Sequence, residues 1–178
     1  MRLPVLILTV TLISAIALSG CKRKERIPVQ ETIEEPDTSL VSTLNVADPR
    51  ASQQLLKGWH EVEQNAWRWT MSKFSVLLKP PRTAAEKGAT LELKLAVPDA
   101  VTSKVKSVTL SAKVNDTALA PETFSQAGEY TYSRDVPAKV LAGETVEVSF
   151  TLDKFLPPGA ADARELGVIV TTVGLEPK

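Results

Sequence analysis

Hydrophobic and polar residues alternate with a period of two along most of the chain after residue 42. The alternation is clearest in the segments 90–97, 108–114 and 146–152. In the first of these segments every second residue is leucine or valine, and Glu92 and Lys94 stand between them. Because successive side chains of a strand point to opposite faces, this pattern predicts strands with one buried and one solvated face.

Weaker forms of the same pattern predict further strands. These lie at 44–46, 67–70, 73–78, 129–136 and 166–173. The segment 166–173 is nearly apolar on both faces, which favours a central position in a sheet. Only 49–57 has the features of a helix, with Asp48 as a candidate N-cap and Pro49 in the first helical position.

About seven or eight short strands joined by polar turns predict an all-β fold, a single antiparallel β-sandwich of the jelly-roll or immunoglobulin-like type. The immunoglobulin variant is less favoured because the chain has one cysteine and therefore lacks the cysteine pair of that fold. We expect the 178 residues to divide into a signal peptide at 1–20, a cysteine with a polar tether at 21–41, and the β-sandwich domain at 42–178, for the reasons that follow.

The N-terminus has the composition of an export signal. Arg2 precedes an uncharged stretch at 3–17, and small residues follow before Cys21. A short positive start, an apolar segment and a small-residue junction are typical of a secretory signal peptide. The stretch is shorter than the roughly 20 residues that span a bilayer, so a permanent membrane helix is the less favoured alternative.

Leu18-Ser19-Gly20-Cys21 resembles the lipobox of bacterial lipoproteins. The resemblance implies cleavage before Cys21, a diacylglycerol on its thiol, and acylation with fatty acids such as palmitate. Two or three acyl chains anchor a protein stably, whereas one chain holds it only marginally. We therefore expect the mature chain to be anchored by lipid to a membrane of the cell envelope, on the periplasmic face or at the cell surface. A cysteine at this position by chance is the alternative.

The segment 22–41 has the composition of a flexible linker, first basic and then acidic. It contains too little apolar surface to offset the entropy of ordering. Its basic start at 22–26 either contacts anionic lipid head groups or is simply solvated.

Charge and motif content exclude several functions. The 21 Lys and Arg residues balance the 21 Asp and Glu residues, which disfavours nucleic-acid binding. The chain has one histidine and contains no zinc-ligand, nucleotide-binding or serine-hydrolase motif. We therefore expect no metal, no cofactor and no enzymatic activity, although a carboxylate pair of the glycosidase kind stays open.

All three tryptophans fall in a short region that also carries charged residues, and a charged segment follows near the C-terminus. The candidate ligand-binding residues are Trp59, Glu63, Trp67, Arg68, Trp69, Asp162 and Arg164. On a strand, Trp67 and Trp69 would share one side. Three interpretations remain. The rings fill the core while one of the two arginines pairs with one of the two acids; or they form a stacking platform for a sugar; or they bind a partner protein.

The segments Gly-Trp-x-x-x-Glu, Trp-x-Trp-Thr and Asp-x-Arg-x-Leu-Gly-Val resemble a β-sandwich module attached to some bacterial envelope glycosyltransferases. The resemblance covers about 57–173 and includes Leu166 and Gly167 as well as the candidate residues. It implies a β-sandwich in an envelope-polysaccharide setting, without a catalytic role. The expected partners are the membrane, through the lipid, and an envelope polysaccharide; the alternative is a structural or assembly lipoprotein that binds another envelope protein.

Overall fold

The computed structural model describes residues 39–178, which form ten strands and four short helical segments. The strands are β1 (Thr43–Asn45), β2 (Leu55–Glu63), β3 (Trp67–Leu78), β4 (Ala89–Val97), β5 (Val108–Val114), β6 (Thr117–Ala118), β7 (Glu122–Phe124), β8 (Gly128–Val136), β9 (Val146–Leu152) and β10 (Ile169–Pro177). The helices are α1 (Ala84–Lys87) and α2 (Asp99–Val105), with 3-10 helices at Pro49–Gln53 and Ala138–Val140. The predicted signal peptide, Cys21 and nearly all of the predicted tether lie outside the described residues.

The strands pair in the order β6-β5-β9-β3-β10-β4-β8, with β1 beside β10, β2 beside β3 and β7 beside β5. Every pair is antiparallel. Strand β3 links the two halves of this curled sheet, because Arg68 and Trp69 pair with β10 whereas its residues 73–78 pair with β9. The predicted all-β, antiparallel β-sandwich is therefore confirmed.

The core consists of the apolar positions that alternate along β4, β5 and β9. Those residues are Leu91, Leu93, Leu95, Val97, Val108, Leu110, Ala112, Val114, Val146, Val148, Phe150 and Leu152, and all are buried. Strand β3 adds Phe74, whose ring stacks on Phe150 with centroids 4.8 Å apart. The segments of clearest alternation thus form strands with the predicted bounds to within one residue.

Two strand predictions needed correction. The segments 67–70 and 73–78, predicted as separate strands, are one continuous strand, β3. The last strand begins at Ile169 rather than at Leu166, because Leu166 forms an isolated bridge with Leu156 instead. Strand β10 is central as predicted, with β4 on one side and β1 and β3 on the other.

The helix prediction for 49–57 was too long. Asp48 does cap the segment, accepting a hydrogen bond from the backbone N–H of Arg50 at 2.9 Å. However, the segment is a 3-10 helix that ends at Gln53, and β2 follows from Leu55. Strand β2 was not predicted because its register with β3 shifts three times, so its half-buried and exposed residues do not alternate.

The helix α2 was not predicted, since only 49–57 was expected to be helical. Pro98 stands at its N-cap and Val101 on its inner face is fully buried. A single buried position in seven residues is too little for a helical period to show in the sequence. Within residues 39–178, no helix combines the length and apolar character that crossing a bilayer requires.

We expect Gly58→Ala to destabilise the domain by about 1–3 kcal/mol, because Gly58 adopts a φ of +76° and an added Cβ would overlap the carbonyl oxygen of Lys73. Thermal or urea denaturation of the two proteins measures the difference. The matched control is Gly159→Ala, since the nearest atom to a Cβ at Gly159 is 3.9 Å away. Equal stability of both variants would contradict the proposed close approach at Gly58.

Candidate functional site

The three sequence segments that carry the candidate residues meet around Thr70, which is fully buried in β3. The backbone N–H of Gly167 donates to the Thr70 carbonyl at 2.7 Å, and the Thr70 N–H donates to the Val168 carbonyl at 2.9 Å. A Cβ at Gly167 would lie 2.6 Å from a methyl group of Leu152 and 2.8 Å from the Thr70 hydroxyl, so only glycine fits here. These contacts fix the C-terminal segment against β3.

Arg164 binds both candidate acids. Its Nη1 donates to Glu63 at 2.8 Å, its Nη2 donates to Asp162 at 2.9 Å, and its Nε donates to the other Asp162 oxygen at 3.1 Å. The hydrogen bonds from Arg164 lower the pKa of Asp162 to about 2, and those same bonds raise the pKa of Arg164. We call Glu63, Asp162 and Arg164 the acidic–arginine cluster; it ties the C-terminal loop to the end of β2.

Arg68 contacts no carboxylate in the described chain but binds two backbone carbonyls. Its Nε donates to Val46 at 2.8 Å and its Nη1 donates to His60 at 2.9 Å. Of the two arginines considered for pairing with an acid, only Arg164 does so. Arg68 therefore joins β2 to the loop after β1, which is a positioning role.

Glu165 and Ser72, to which the sequence assigned no role, reinforce the same junction. The Glu165 carboxylate accepts from the Ser72 backbone N–H at 2.6 Å, and hydrogen bonding from Ser72 lowers the pKa of Glu165. The Glu165 carbonyl contacts Nε2 of His60 at 2.6 Å. The only signal in the sequence was the position of Glu165 beside Arg164, within the recognised Asp-x-Arg-x-Leu-Gly segment.

Trp59 belongs to the core side of the sheet. It pairs with the buried Thr70, and side chains of directly opposed residues point to the same face. Its ring meets Phe74 edge-on with centroids 5.1 Å apart, and its Nε1 donates to the Ser75 carbonyl at 2.8 Å. Trp59 thus packs against the core, and its indole N–H has a hydrogen-bond acceptor.

Trp67 and Trp69 lie on the outer face of β3, because they alternate with Arg68 and Thr70. Trp67 opposes Glu63 and Trp69 opposes Ile169, and all of these are half-buried. Trp69 also packs against the buried hydrophobic cluster. The Trp67 Nε1 is buried and has no hydrogen-bond partner within residues 39–178. We call Trp67, Trp69 and Ile169 the outer aromatic patch.

A separate cleft of about 440 Å³ lies between α2 and the C-terminal loop. Asp162 and Arg164 lie at this cleft, and most of its remaining lining is apolar, including Val105, Leu156 and Leu166. Across residues 39–178, no three His, Cys, Asp or Glu side chains are grouped as metal ligands would be. The structure therefore places the seven candidates in three groups. Trp59 and Arg68 lie on the core side, Glu63, Asp162 and Arg164 form the acidic–arginine cluster, and Trp67 and Trp69 belong to the outer aromatic patch.

No family model and no curated protein matches this chain. Solved structures with a similar chain course include the carbohydrate-binding module TmCBM27, described for specific mannan recognition, at 11% identity and a TM-score of 0.45 over 77% of this chain and 96% of that one. They also include a CBM4 module, at 11% identity and a TM-score of 0.34 over 75% of this chain and 85% of that one.

A third similar structure is a family GH115 4-O-methyl-α-glucuronidase specific for decorated arabinogalactans, at 9% identity and a TM-score of 0.43. The match covers 79% of this chain but only 18% of the glucuronidase. At these values we transfer neither ligands nor site residues from those proteins to this chain.

We expect the Asp162 carboxyl to titrate at about 2 in the intact chain and to return toward 3.8 in Arg164→Gln, which removes the charged donor. Because the folded pKa lies below the unfolded value, this interaction stabilises the fold above about pH 4 and is lost as the pH falls toward 2. Carboxyl-detected NMR titration measures both values.

Asp48 is the matched control, since Arg50 likewise lowers its pKa to about 2 far from Arg164 in sequence. The Asp48 titration should be the same in both proteins. An Asp162 pKa that stayed near 2 without the Arg164 charge would show that another group holds this carboxyl ionised.

Proposed function

We propose that this chain is an exported, lipid-anchored and non-catalytic β-sandwich that binds carbohydrate at the outer aromatic patch. The observation that carries the proposal is that Trp67 and Trp69 lie on the face of β3 opposite to that of Thr70, whereas Trp59 lies on the same face as Thr70 and meets Phe74 edge-on. The sugar-platform interpretation of the sequence thus rests on two of the three rings. Trp59 and Arg68 have structural contacts instead.

Aromatic rings and a few fixed polar groups are the usual lining of small-molecule sites. The partly exposed rings of Trp67 and Trp69 offer apolar faces to the C–H side of a sugar ring, and Trp carries a large contact area at low entropic cost. Strands β3 and β10 hold this face rigidly because both are paired on two sides. Little conformational entropy is therefore lost from this face when a ligand binds.

Glu63 supplies a polar group beside the patch. It opposes Trp67 across the β2–β3 pair, and Arg164 holds its Oε1 at 2.8 Å. The other carboxylate oxygen of Glu63 accepts no hydrogen bond within residues 39–178 and is suited to accept one from a sugar hydroxyl. The acidic–arginine cluster thus orients a carboxylate beside the rings.

The same cluster argues against glycoside hydrolysis by Glu63 and Asp162. A glycosidase needs one carboxyl group protonated as a general acid, with a raised pKa. Here both acids share the charge of Arg164, and the pKa of Asp162 is lowered to about 2. This arrangement suits binding rather than acid–base catalysis.

The lipid anchor at Cys21 is part of the proposal and rests on the lipobox-like Leu18-Ser19-Gly20-Cys21. In this proposal the polar segment 22–41 is the tether between the lipid and the domain.

A second candidate function is attachment to another envelope protein through an unpaired sheet edge. Strand β8 is nine residues long, and within residues 39–178 only β4 pairs with it. Such an edge can accept a strand from another chain. Arg134 reaches from β8 to the carbonyls of Ala120 and Pro121, which covers part of this edge and weakens the case.

We expect Trp69→Ala to lower glycan affinity at least about tenfold, or about 1.4 kcal/mol, because it removes the ring that stacks on the sugar. Since Trp69 also packs against the buried hydrophobic cluster, thermal denaturation checks that the variant is folded. A glycan array that includes envelope polysaccharides, probed with the full chain in mild detergent, measures binding. Trp69→Phe, which keeps a ring, should retain part of the affinity. Leu56→Ala, at an exposed residue outside the patch, should bind like the unmodified chain.

Two results would count against carbohydrate binding at the patch. One is full glycan binding by a folded Trp69→Ala chain. The other is no glycan binding by the unmodified chain together with a defined partner protein in crosslinked membranes, which would favour the sheet-edge function.

We expect Cys21→Ala to abolish palmitate labelling and to move the protein from the membrane to the soluble fraction. The physical reason is that the anchor's acyl chains supply most of the free energy of membrane attachment. The control Ser19→Ala keeps a small residue in the lipobox and should leave labelling unchanged. Membrane sedimentation of an unlabelled Cys21→Ala chain would show that another segment attaches the protein.

A further inference from the structure

The strand register places a row of outer-face residues across four neighbouring strands. Trp69 of β3 opposes Ile169 of β10, Ile169 opposes Ala96 of β4, and Ala96 opposes Glu129 of β8. Neighbouring strands lie about 4.8 Å apart, so these four positions span roughly 15 Å perpendicular to the strands. We call Trp69, Ile169, Ala96 and Glu129 the cross-strand row.

The far end of this row opens into a cleft of about 290 Å³ between β4 and β8. The exposed residues that line it are Lys94, Glu129, Thr131 and Thr171. Thr171 reaches the cleft because the register of β10 with β4 shifts between Val170 and Thr172. We call this the β4–β8 cleft; the cross-strand row connects it with the outer aromatic patch.

We propose that the cross-strand row and the β4–β8 cleft form one groove that binds a neutral glycan chain running across the strands. The inference rests on the proposed carbohydrate binding and deepens it, since it names the class, direction and extent of the ligand. Trp69 stacks on a sugar ring at one end. The small side chain of Ala96 lets the chain approach the sheet midway, and the polar side chains of the cleft bind hydroxyl groups at the other end.

The charges of the groove favour an uncharged occupant. Lys94 and Glu129 are exposed, lie on adjacent strands two positions out of register, and form no ion pair with each other in the described chain. One therefore remains a donor and the other an acceptor, and their charges sum to zero. Glu92, next along the outer face of β4, adds a negative charge that disfavours uronate or phosphate polymers.

The geometry also disfavours a polypeptide occupant. A peptide that adds to a sheet binds backbone groups at an edge, whereas the backbone groups of β10 and β4 already pair on both sides. The apolar and aromatic residues of the groove are Trp69, Ile169 and Ala96, with Leu95 and Tyr130 at the cleft, which is a small set for the core of a protein interface. Hydroxyl-rich chains match this mixture of the Trp69 and Tyr130 rings, the small side chain of Ala96 and scattered polar groups.

The test is affinity electrophoresis of the full chain in mild detergent, with neutral polysaccharides (dextran, mannan and β-glucan) and anionic ones (alginate and polygalacturonate) in the gel. The variants Lys94→Met and Glu129→Gln each remove a charge from the cleft with little change of shape. Their matched controls are Lys113→Met on β5 and Glu147→Gln on β9, both exposed on the other half of the sandwich. Thermal denaturation confirms folding.

We expect binding to at least one neutral polysaccharide, about threefold to tenfold weaker in each cleft variant and unchanged in the controls. Since the ligand is uncharged, affinity should change little between low salt and about 0.5 M NaCl. Loss of binding in Trp69→Ala with full binding in both cleft variants would overturn the extended groove and leave carbohydrate binding at the patch intact.

Salt-sensitive binding to alginate or polygalacturonate alone would overturn the neutral ligand. Absence of binding to every polysaccharide by the folded, unmodified chain would overturn both the groove and the proposed function.

Discussion

Thr70 occupies the point at which β3 leaves β10 and begins to pair with β9, and the geometry of that exchange governs the candidate site. At this point the segment that leads into β10 lies directly against β3, so that β3 can pair with β10 before Thr70 and with β9 after it. Gly167 allows this close approach, because no side chain fits between it, Thr70 and Leu152. The hydroxyl of Thr70 also accepts a hydrogen bond from the backbone N–H of Val168 at 3.2 Å. This bond gives the Val168 N–H a partner at the point where regular strand pairing ends.

The position of Thr70 also decides which way each tryptophan points. Since Thr70 faces the core, its β2 partner Trp59 does too, whereas Trp69, next to it in the chain, faces outward. The acidic–arginine cluster then acts at the end of β2, where Glu63 opposes Trp67. Residues that are neighbours in sequence thus point to opposite faces of the sheet, because the side chains of a strand alternate between its two faces.

Strand positions could be predicted from the sequence where one face is buried, because Leu, Val and Phe recur at every second residue in β4, β5 and β9. The prediction failed where register shifts break this alternation, as in β2, and where α2 buries a single residue, Val101. Trp67 and Trp69 were correctly expected to share one face of the strand. Which face this is became clear only from the structure, where Thr70, next to Trp69, is buried and pairs with Trp59. The choice between Arg68 and Arg164 as partner of the acids was likewise beyond the sequence, since it depends on where the C-terminal loop crosses β2.

A sheet face built from central strands is suited to a ligand that offers weak contacts repeated along its length. Strands β10 and β4 are paired on both sides, so their outer face is rigid before binding and little conformational entropy is lost there. An open sheet face limits how much of any one sugar can be buried. Trp69 provides a ring at one end of the cross-strand row, and Tyr130 lines the β4–β8 cleft at the other end. Useful affinity on such a surface must therefore come from contacts spread over several strands, which is why the spacing from Trp69 to Lys94 and Glu129 matters more than any single residue.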